Sequence, residues 1–115
     1  MGVTVTTLEE GSGPNPQVGQ TVIMGYTGWL KDTSQPENKG KQFDSSYGKN
    51  TNTFSTKIGV GQVIKGWDEG VVQMKLGGKA RLDISSDYAY GARGFPPVIP
   101  PSSDLIFDVH LVEIK

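Results

Sequence analysis

Glycine and proline recur along the whole chain and restrict its fold more than any other feature. The 115 residues include sixteen glycines and seven prolines, a fifth of the total. In a helix interior, glycine costs about 1 kcal/mol relative to alanine and proline costs about 3 kcal/mol. Bundles of long helices are therefore disfavoured, and short strands joined by turns are favoured.

Apolar and polar residues alternate in several short stretches, which is the period of a β-strand. In the clearest one, Ala80, Leu82 and Ile84 alternate with charged neighbours. The patterns predict a sheet of about five strands, drawn from residues 3–9, 21–30, 41–44, 53–58, 79–84 and 105–111. Residues 31–40 are polar and predict an exposed loop.

One stretch changes to helical spacing. Ile64, Trp67 and Val71 stand at i, i+3 and i+7, between Gly61 and the pair Gly77-Gly78. Glycines inside this stretch weaken the helix, so packing has to hold it, and Trp67 is the obvious anchor. Strands with one short helix and no βαβ alternation predict an α+β fold, an antiparallel sheet with one face covered by the helix, as a single domain over residues 1–115.

Two counts limit the chemistry. The chain has no cysteine and a single histidine, His110. Thiol nucleophiles, disulfides and zinc fingers are thereby removed, and we expect neither a metal nor a cofactor. Asp108 lies two residues before His110, but no nucleophile elbow completes a triad, which favours a surface histidine.

Charge and hydropathy argue against two classes of function, nucleic-acid binding and membrane spanning. Eleven basic and twelve acidic side chains give a net charge of −1, which argues against nucleic-acid binding. The longest apolar runs are three residues, far short of the roughly 20 needed for a membrane span. Without a signal sequence or cysteine, a cytoplasmic location is the simplest expectation.

Four local patterns leave alternatives open. Residues 1–6 fit a loose myristoylation pattern with Gly2 exposed, although an edge strand is the simpler interpretation. Residues 59–64 begin like a dinucleotide fingerprint but lack its third glycine, so they predict a turn before the helix. Asp68 and Glu69 lie in the first turns of that helix, which favours a structural role. Asp44 is either a turn cap before two serines or a charge beside a pocket.

Several aromatic residues come from different predicted elements. Together they could line one concave apolar pocket, although each alone is more often a core residue. The set is Tyr26, Phe43, Trp67, Tyr90, Phe95 and Phe107.

Six ordered motifs give the chain a family resemblance. They are Tyr26-Thr27-Gly28, Phe43-Asp44-Ser45-Ser46, Val63-Ile64-Lys65-Gly66-Trp67-Asp68-Glu69-Gly70, Tyr88-Ala89-Tyr90-Gly91, Gly94-Phe95-Pro96-Pro97-Val98-Ile99-Pro100-Pro101 and Leu105-Ile106-Phe107-Asp108-Val109. In this order, and over essentially the whole chain, they resemble a small single-domain FKBP, a peptidyl-prolyl cis–trans isomerase of the FK506-binding immunophilins. The resemblance implies a bent antiparallel half-barrel wrapped around one short helix. Arg93-Gly94-Phe95 is more similar to fungal members than to animal ones.

The same resemblance implies roles for individual residues. The implied catalytic residues are Tyr26, Phe43, Asp44, Trp67, Tyr90 and Phe107. The implied ligand pocket adds Phe54, Gln62, Val63, Ile64, Phe95, Val98 and Ile99. Trp67 would be the floor for a prolyl ring, while Gln62 and Ile64 would offer a backbone carbonyl and a backbone N–H. Tyr90 would offer its hydroxyl.

Implied partners are X–Pro peptides and the macrolides tacrolimus and rapamycin. The drug complexes would inhibit calcineurin and the TOR kinase respectively, with residues 87–101 presented to calcineurin. A binding module acting only through such partners is the alternative, but the complete set of pocket residues favours an enzyme.

The chain departs from the family pattern in places. Gly25 replaces a common histidine, Thr56 replaces a common aromatic residue, and residues 31–40 are longer than the usual turn. The stretch 47–53 has one extra residue, so the position of the basic partner of Asp44 is shifted, and Lys49 is the candidate for it. Phe95-Pro96 is itself an X–Pro bond on a predicted exposed loop, so a second hypothesis is weak self-association through the pocket of another copy.

Overall fold

The computed structural model describes residues 2–48 and 52–115. In these residues one open antiparallel sheet of six strands accompanies one short helix, α1 (Lys65–Gly70). The strands are β1 (Val3–Glu9), β2 (Thr21–Lys31), β3 (Lys39–Ser45), β4 (Phe54–Lys57), β5 (Lys79–Ile84) and β6 (Leu105–Ile114). The α+β prediction is confirmed. The count is six rather than about five, because both short stretches, β3 and β4, pair with β2.

The long strand β2 organises the sheet. The strand order is β1-β5-β6-β2-β3, and β4 also pairs with β2. Since β6 occupies one edge of β2, the other edge is shared: Thr21 to Met24 pair with β4, and Thr27 to Lys31 pair with β3. β1 is at the sheet edge, as its sequence predicts, and the N–H of Gly2 donates to the Ser85 hydroxyl at 2.7 Å. Met1, the start of the myristoylation pattern, is outside the described residues.

One face of the sheet carries the core. Ala80, Leu82 and Ile84 are buried, whereas the alternate residues of β5 are exposed or half-buried, so the predicted period-2 pattern is confirmed. The core cluster also includes Val22 and Leu111, both fully buried. No helix in the described ranges is long and apolar enough to cross a membrane.

Both glycines of α1 lie near the sheet, and one of them is required by the close approach. A Cβ built at Gly66 would stand 2.5 Å from Ile84 Cγ2, and one at Gly70 would stand 3.3 Å from Leu82. The helix continues into a 3₁₀ turn at Val71–Gln73, so it is short, as the glycines on either side predict. Gly66, which weakens α1 locally, is therefore what allows the helix and Trp67 to lie this close to the sheet.

The predicted loop at 31–40 is shorter than expected. Lys31 ends β2 and Lys39 begins β3, and the two residues are register partners. The connection therefore covers residues 32–38 and contains a 3₁₀ turn at Pro36–Asn38. The polar composition was misleading because the lysines at its ends extend along the solvent face of the sheet, where ion pairs hold them.

Candidate functional site

A cavity of about 510 Å3 opens among four strands, α1 and two loops. This volume lies in the range of roughly 300–1,000 Å3 that small-molecule sites occupy. Its lining is mainly aromatic and aliphatic, with a few polar groups. The lining residues are Tyr26, Phe43, Asp44, Phe54, Gly61, Gln62, Val63, Ile64, Trp67, Tyr90 and Phe107.

Trp67 of α1 is the centre of the aromatic lining. It is 5% exposed, and its ring meets three others edge to face, at interplanar angles of 66–78°. The ring centroids lie 4.9 Å away at Tyr26, 5.1 Å at Phe107 and 5.9 Å at Phe54. Edge-to-face pairs add about 0.5–1.5 kcal/mol each beyond burial. The indole ring is therefore fixed from three directions.

The turn before α1 forms another side of the cavity. Gly59 and Gly61 both adopt a φ of 80°, the left-handed region that glycine favours. Their backbone N–H groups donate to the two carboxylate oxygens of Asp68, at 2.7 and 2.9 Å. The structural role predicted for Asp68 is thus specific: the helix holds the turn that presents residues 61–64 to the cavity.

Phe43 and Asp44 are adjacent in β3, yet both line the cavity. Successive residues of a regular strand point to opposite faces. The register explains the exception, because Asp44 pairs with Gly28 while Gln42 pairs with Trp29, which leaves Phe43 as the extra residue of a bulge. A bulge of this kind redirects a side chain.

Gly28 makes room for two aromatic walls. A Cβ at this position would lie 2.6 Å from the ring of Phe107 and 2.8 Å from that of Phe43. These two rings pack at 5.5 Å with an interplanar angle of 87°. The glycine of the Tyr-Thr-Gly motif is therefore required by packing.

Tyr26 and Asp44 supply the fixed polar contact. The Tyr26 hydroxyl donates to Asp44 Oδ2 at 2.7 Å, and Asp44 Oδ1 accepts the N–H of Ser45 at 2.8 Å. Asp44 therefore lies at the pocket, and it also accepts from the backbone N–H of the serine that follows it. Burial and the nearby Asp44 carboxylate raise the pKa of Tyr26 and of Tyr90 above the usual tyrosine value. Both hydroxyls are protonated donors at neutral pH.

Ten of the thirteen residues predicted for the ligand pocket line this cavity, and three lie outside it. Phe95 is 57% exposed and Val98 is 41% exposed, whereas Ile99 is buried in the core. The reason is a tight reversal in which Phe95 and Ile99 exchange backbone hydrogen bonds at 2.8 and 2.9 Å. Their contribution to ligand binding stays a prediction. Sequence reasoning missed Gly61, whose signal was a Gly-x-Gly turn directly before a helix.

The family departures have structural counterparts. At Gly25, a Cβ would stand 2.5 Å from the Tyr47 hydroxyl, so a tyrosine occupies the space that a side chain there would need. The Thr56 hydroxyl donates to the Lys57 carbonyl at 3.1 Å and reaches Gln62 Oε1 at 3.5 Å. Lys49 lies outside the described residues.

The single histidine lies away from the cavity. His110 is half-buried on β6 and does not line the cavity. No group of potential metal-ligating side chains occurs in the described part of the chain.

Comparison with known proteins agrees with the geometry. The family described as FKBP-type peptidyl-prolyl cis-trans isomerase matches residues 13–112. "FK506-binding protein 1" of Gibberella zeae is 62% identical over 114 residues, which cover 99% of each chain. "FK506-binding protein 1B" of Neurospora crassa is 60% identical over 111 residues, 96% of each chain. "FK506-binding protein 1" of Rhizopus delemar is 56% identical over the full length of both chains. The chain therefore belongs to the FKBP-type peptidyl-prolyl cis–trans isomerases, as a small member of the fungal type.

Proposed function

We propose that the aromatic cavity is the place where this isomerase rotates X–Pro peptide bonds in protein substrates, and that residues 1–115 act as one domain. The residues proposed for turnover are Tyr26, Phe43, Asp44, Trp67, Tyr90 and Phe107. The observation that carries the proposal is the buried Trp67 ring, held by three other rings at the base of an apolar cavity.

Resonance in the C–N bond is what the site must overcome. It opposes peptide rotation by about 18–20 kcal/mol, and X–Pro isomers interconvert in tens to hundreds of seconds. A planar amide is more charge-separated than a twisted one, so an apolar cavity disfavours the planar form. Acceleration requires tighter binding of the twisted form, and each 1.36 kcal/mol of preference gives about tenfold. No nucleophile is needed, which agrees with a chain that has no cysteine.

Hydrogen bonds steer the substrate carbonyl groups in this proposal. The protonated Tyr90 hydroxyl and the Ile64 N–H are the donors to those carbonyl groups, whereas the Gln62 carbonyl accepts from an N–H or O–H of the substrate or ligand. All three residues line the cavity. Asp44, oriented by Tyr26 and Ser45, accepts from a ligand hydroxyl.

An X–Pro isomerisation assay tests the site. Trp67→Ala and Phe43→Ala should lose much of their kcat/KM, whereas His110→Ala should retain it because His110 lies away from the cavity. Circular dichroism establishes that each variant is folded. Equal activity in the three folded variants would refute the proposal.

We further propose that the cavity binds the macrolides tacrolimus and rapamycin, and that the complexes inhibit calcineurin and TOR. Support comes from the names of the fungal relatives, which are FK506-binding proteins. Tacrolimus should inhibit isomerisation competitively, and calcineurin should be retained on the immobilised protein only when the drug is present. Retention without drug, or competition without retention, would contradict the calcineurin part.

A weaker partner is a second copy of the chain. Phe95, directly before Pro96, is exposed and makes a ring contact with Tyr90 at the cavity rim, at 5.5 Å. Sedimentation at high concentration should show reversible association in the wild type and less in Pro96→Gly. No concentration dependence in the wild type would remove this hypothesis.

A cytoplasmic location also stays a prediction, tested by cell fractionation.

A further inference from the structure

Four charged side chains form a closed network on the face of the sheet opposite the core. Asp108 accepts from Arg81 Nε at 2.8 Å, from Arg81 Nη2 at 3.2 Å and from Lys39 Nζ at 2.8 Å. Glu37 completes the ring, at 3.3 Å from each of the two cations. We call Glu37, Lys39, Arg81 and Asp108 the outer-face ion network.

The network crosses the sheet from one edge towards the other. Lys39 begins β3, its ammonium lies 4.2 Å from the centroid of the Trp29 ring on β2, and it then reaches Asp108 on β6. Arg81 on β5 is the direct register partner of Asp108. The three inner side chains are only 19–26% exposed, so their attraction is screened less than that of a fully exposed pair.

The short connection before β3 is held in an unfavourable backbone conformation by this network. Glu37 and Asn38 have φ values of 57° and 59°, which few non-glycine residues adopt. Such conformations persist where surrounding contacts determine them. Here the two salt bridges of Glu37 and the hydrogen bond from Asp32 N–H to the Asn38 carbonyl, at 2.8 Å, provide those contacts.

The two ends of β3 are anchored differently. At its C-terminal end, Asp44 accepts from Tyr26, and Ser46 exchanges two hydrogen bonds with the backbone of Tyr26, at 2.8 and 2.9 Å. Towards Lys39, pairing with β2 is interrupted by two register irregularities, one of them at Phe43. Main-chain pairing therefore holds this half of the strand weakly, and the ion network is its additional anchor.

We propose that Lys39, through the outer-face ion network, is a positioning residue that keeps Phe43 in the cavity wall. This inference rests on the proposed function of the cavity. The network does not touch substrate. It sets the fraction of molecules in which Phe43 faces the cavity, and a smaller competent fraction weakens apparent affinity in proportion. Substrate that binds the competent form still turns over at the same rate, so KM changes and kcat does not.

The test uses the full chain, an uncharged X–Pro tetrapeptide and steady-state kinetics. Lys39→Met keeps the aliphatic stem and removes the charge, and we expect KM to rise by up to about fivefold with kcat unchanged. Lys39→Arg should restore KM because it keeps the cation. Asp83→Asn is the matched control, since it breaks another cross-strand ion pair, Lys31–Asp83 at 3.0 Å, that does not involve β3.

A double-mutant cycle identifies the route. If Lys39 acts through Phe43, Lys39→Met should change KM little further in a Phe43→Leu background. An unchanged KM in folded Lys39→Met, an equal change in Asp83→Asn, or the full effect in the Phe43→Leu background would each overturn the inference. If Lys39→Met does not fold, wild-type KM is measured against salt, and a KM independent of salt overturns the inference. Failure of Phe43→Ala to impair turnover would instead refute the proposed function.

Discussion

Helix α1 contains two glycines, Gly66 and Gly70, that lower its helix propensity alike but differ in how closely they approach the sheet. Ala at either position should gain about 1 kcal/mol in helix propensity. At Gly66 the new Cβ would stand 2.5, 2.7 and 2.8 Å from three atoms of Ile84, whereas at Gly70 its nearest contacts are 3.3 Å. Gly66→Ala therefore forces Ile84 or α1 to move by about 1 Å, while Gly70→Ala requires a few tenths of an ångström.

The difference between the two variants isolates the steric cost, because the propensity gain cancels. Overpacking a close-packed core costs about 1–3 kcal/mol. We expect Gly66→Ala to have a free energy of unfolding about 1–3 kcal/mol below that of Gly70→Ala, which itself should lie close to the wild type. Movement of α1 also moves Trp67, so Gly66→Ala should lose kcat/KM as well.

Urea unfolding followed by far-UV circular dichroism measures both free energies, provided that the slopes with urea agree. The isomerisation assay then shows whether Gly66→Ala lowers kcat/KM, as a displaced Trp67 would. Equal free energies for the two variants, or a more stable Gly66→Ala, would refute the claim that contact with Ile84 requires glycine there.

Three further predictions concern the sheet and the turn. Gly28→Ala should cost about 1–3 kcal/mol in urea unfolding and lower isomerase activity, since its Cβ would displace Phe107; unchanged activity would contradict this. Asp68→Asn loses a charged acceptor for Gly59 and Gly61 and should cost about 1–3 kcal/mol, measured in the same way. Burial raises the pKa of Asp108, but hydrogen bonds and charge from its cationic partners hold it below the ordinary value. Its stabilisation is therefore present above about pH 4 and lost as pH falls further, so Asp108→Asn should flatten the acid limb of stability against pH.

Much of the fold could be predicted because its signals are local. The alternation of apolar and charged residues in β5 identifies its buried face without knowledge of the neighbouring strands. The spacing of apolar residues from Ile64 to Val71 is helical, and the structure has α1 there. The glycines around that stretch predict a short helix. Trp67 as anchor follows from the same spacing, since a large aromatic residue on a weak helix has to be packed.

Other parts depended on contacts between distant residues. Phe43 and Asp44 share the cavity because of a register shift against β2, which no pattern within β3 reveals. The exposure of Phe95 follows from a backbone reversal with Ile99. Lys39 was assigned to a loop by composition, yet its partner Asp108 is 69 residues away. Contacts of this kind can be predicted only once the order and register of the strands are known.

The shared edge of β2 has a consequence for how the cavity arises. β4 pairs with the first part of that edge and β3 with the second, so the sheet divides near Gly25 and Tyr26. The cavity is lined by both branches and by α1 beneath them. The cavity therefore opens because β3 and β4 share one edge of β2, and the side chains that line it determine only its shape. A change that shifts either branch should therefore alter access to the cavity while Trp67 on α1 stays in place, so relatives can diverge in access and retain one reaction.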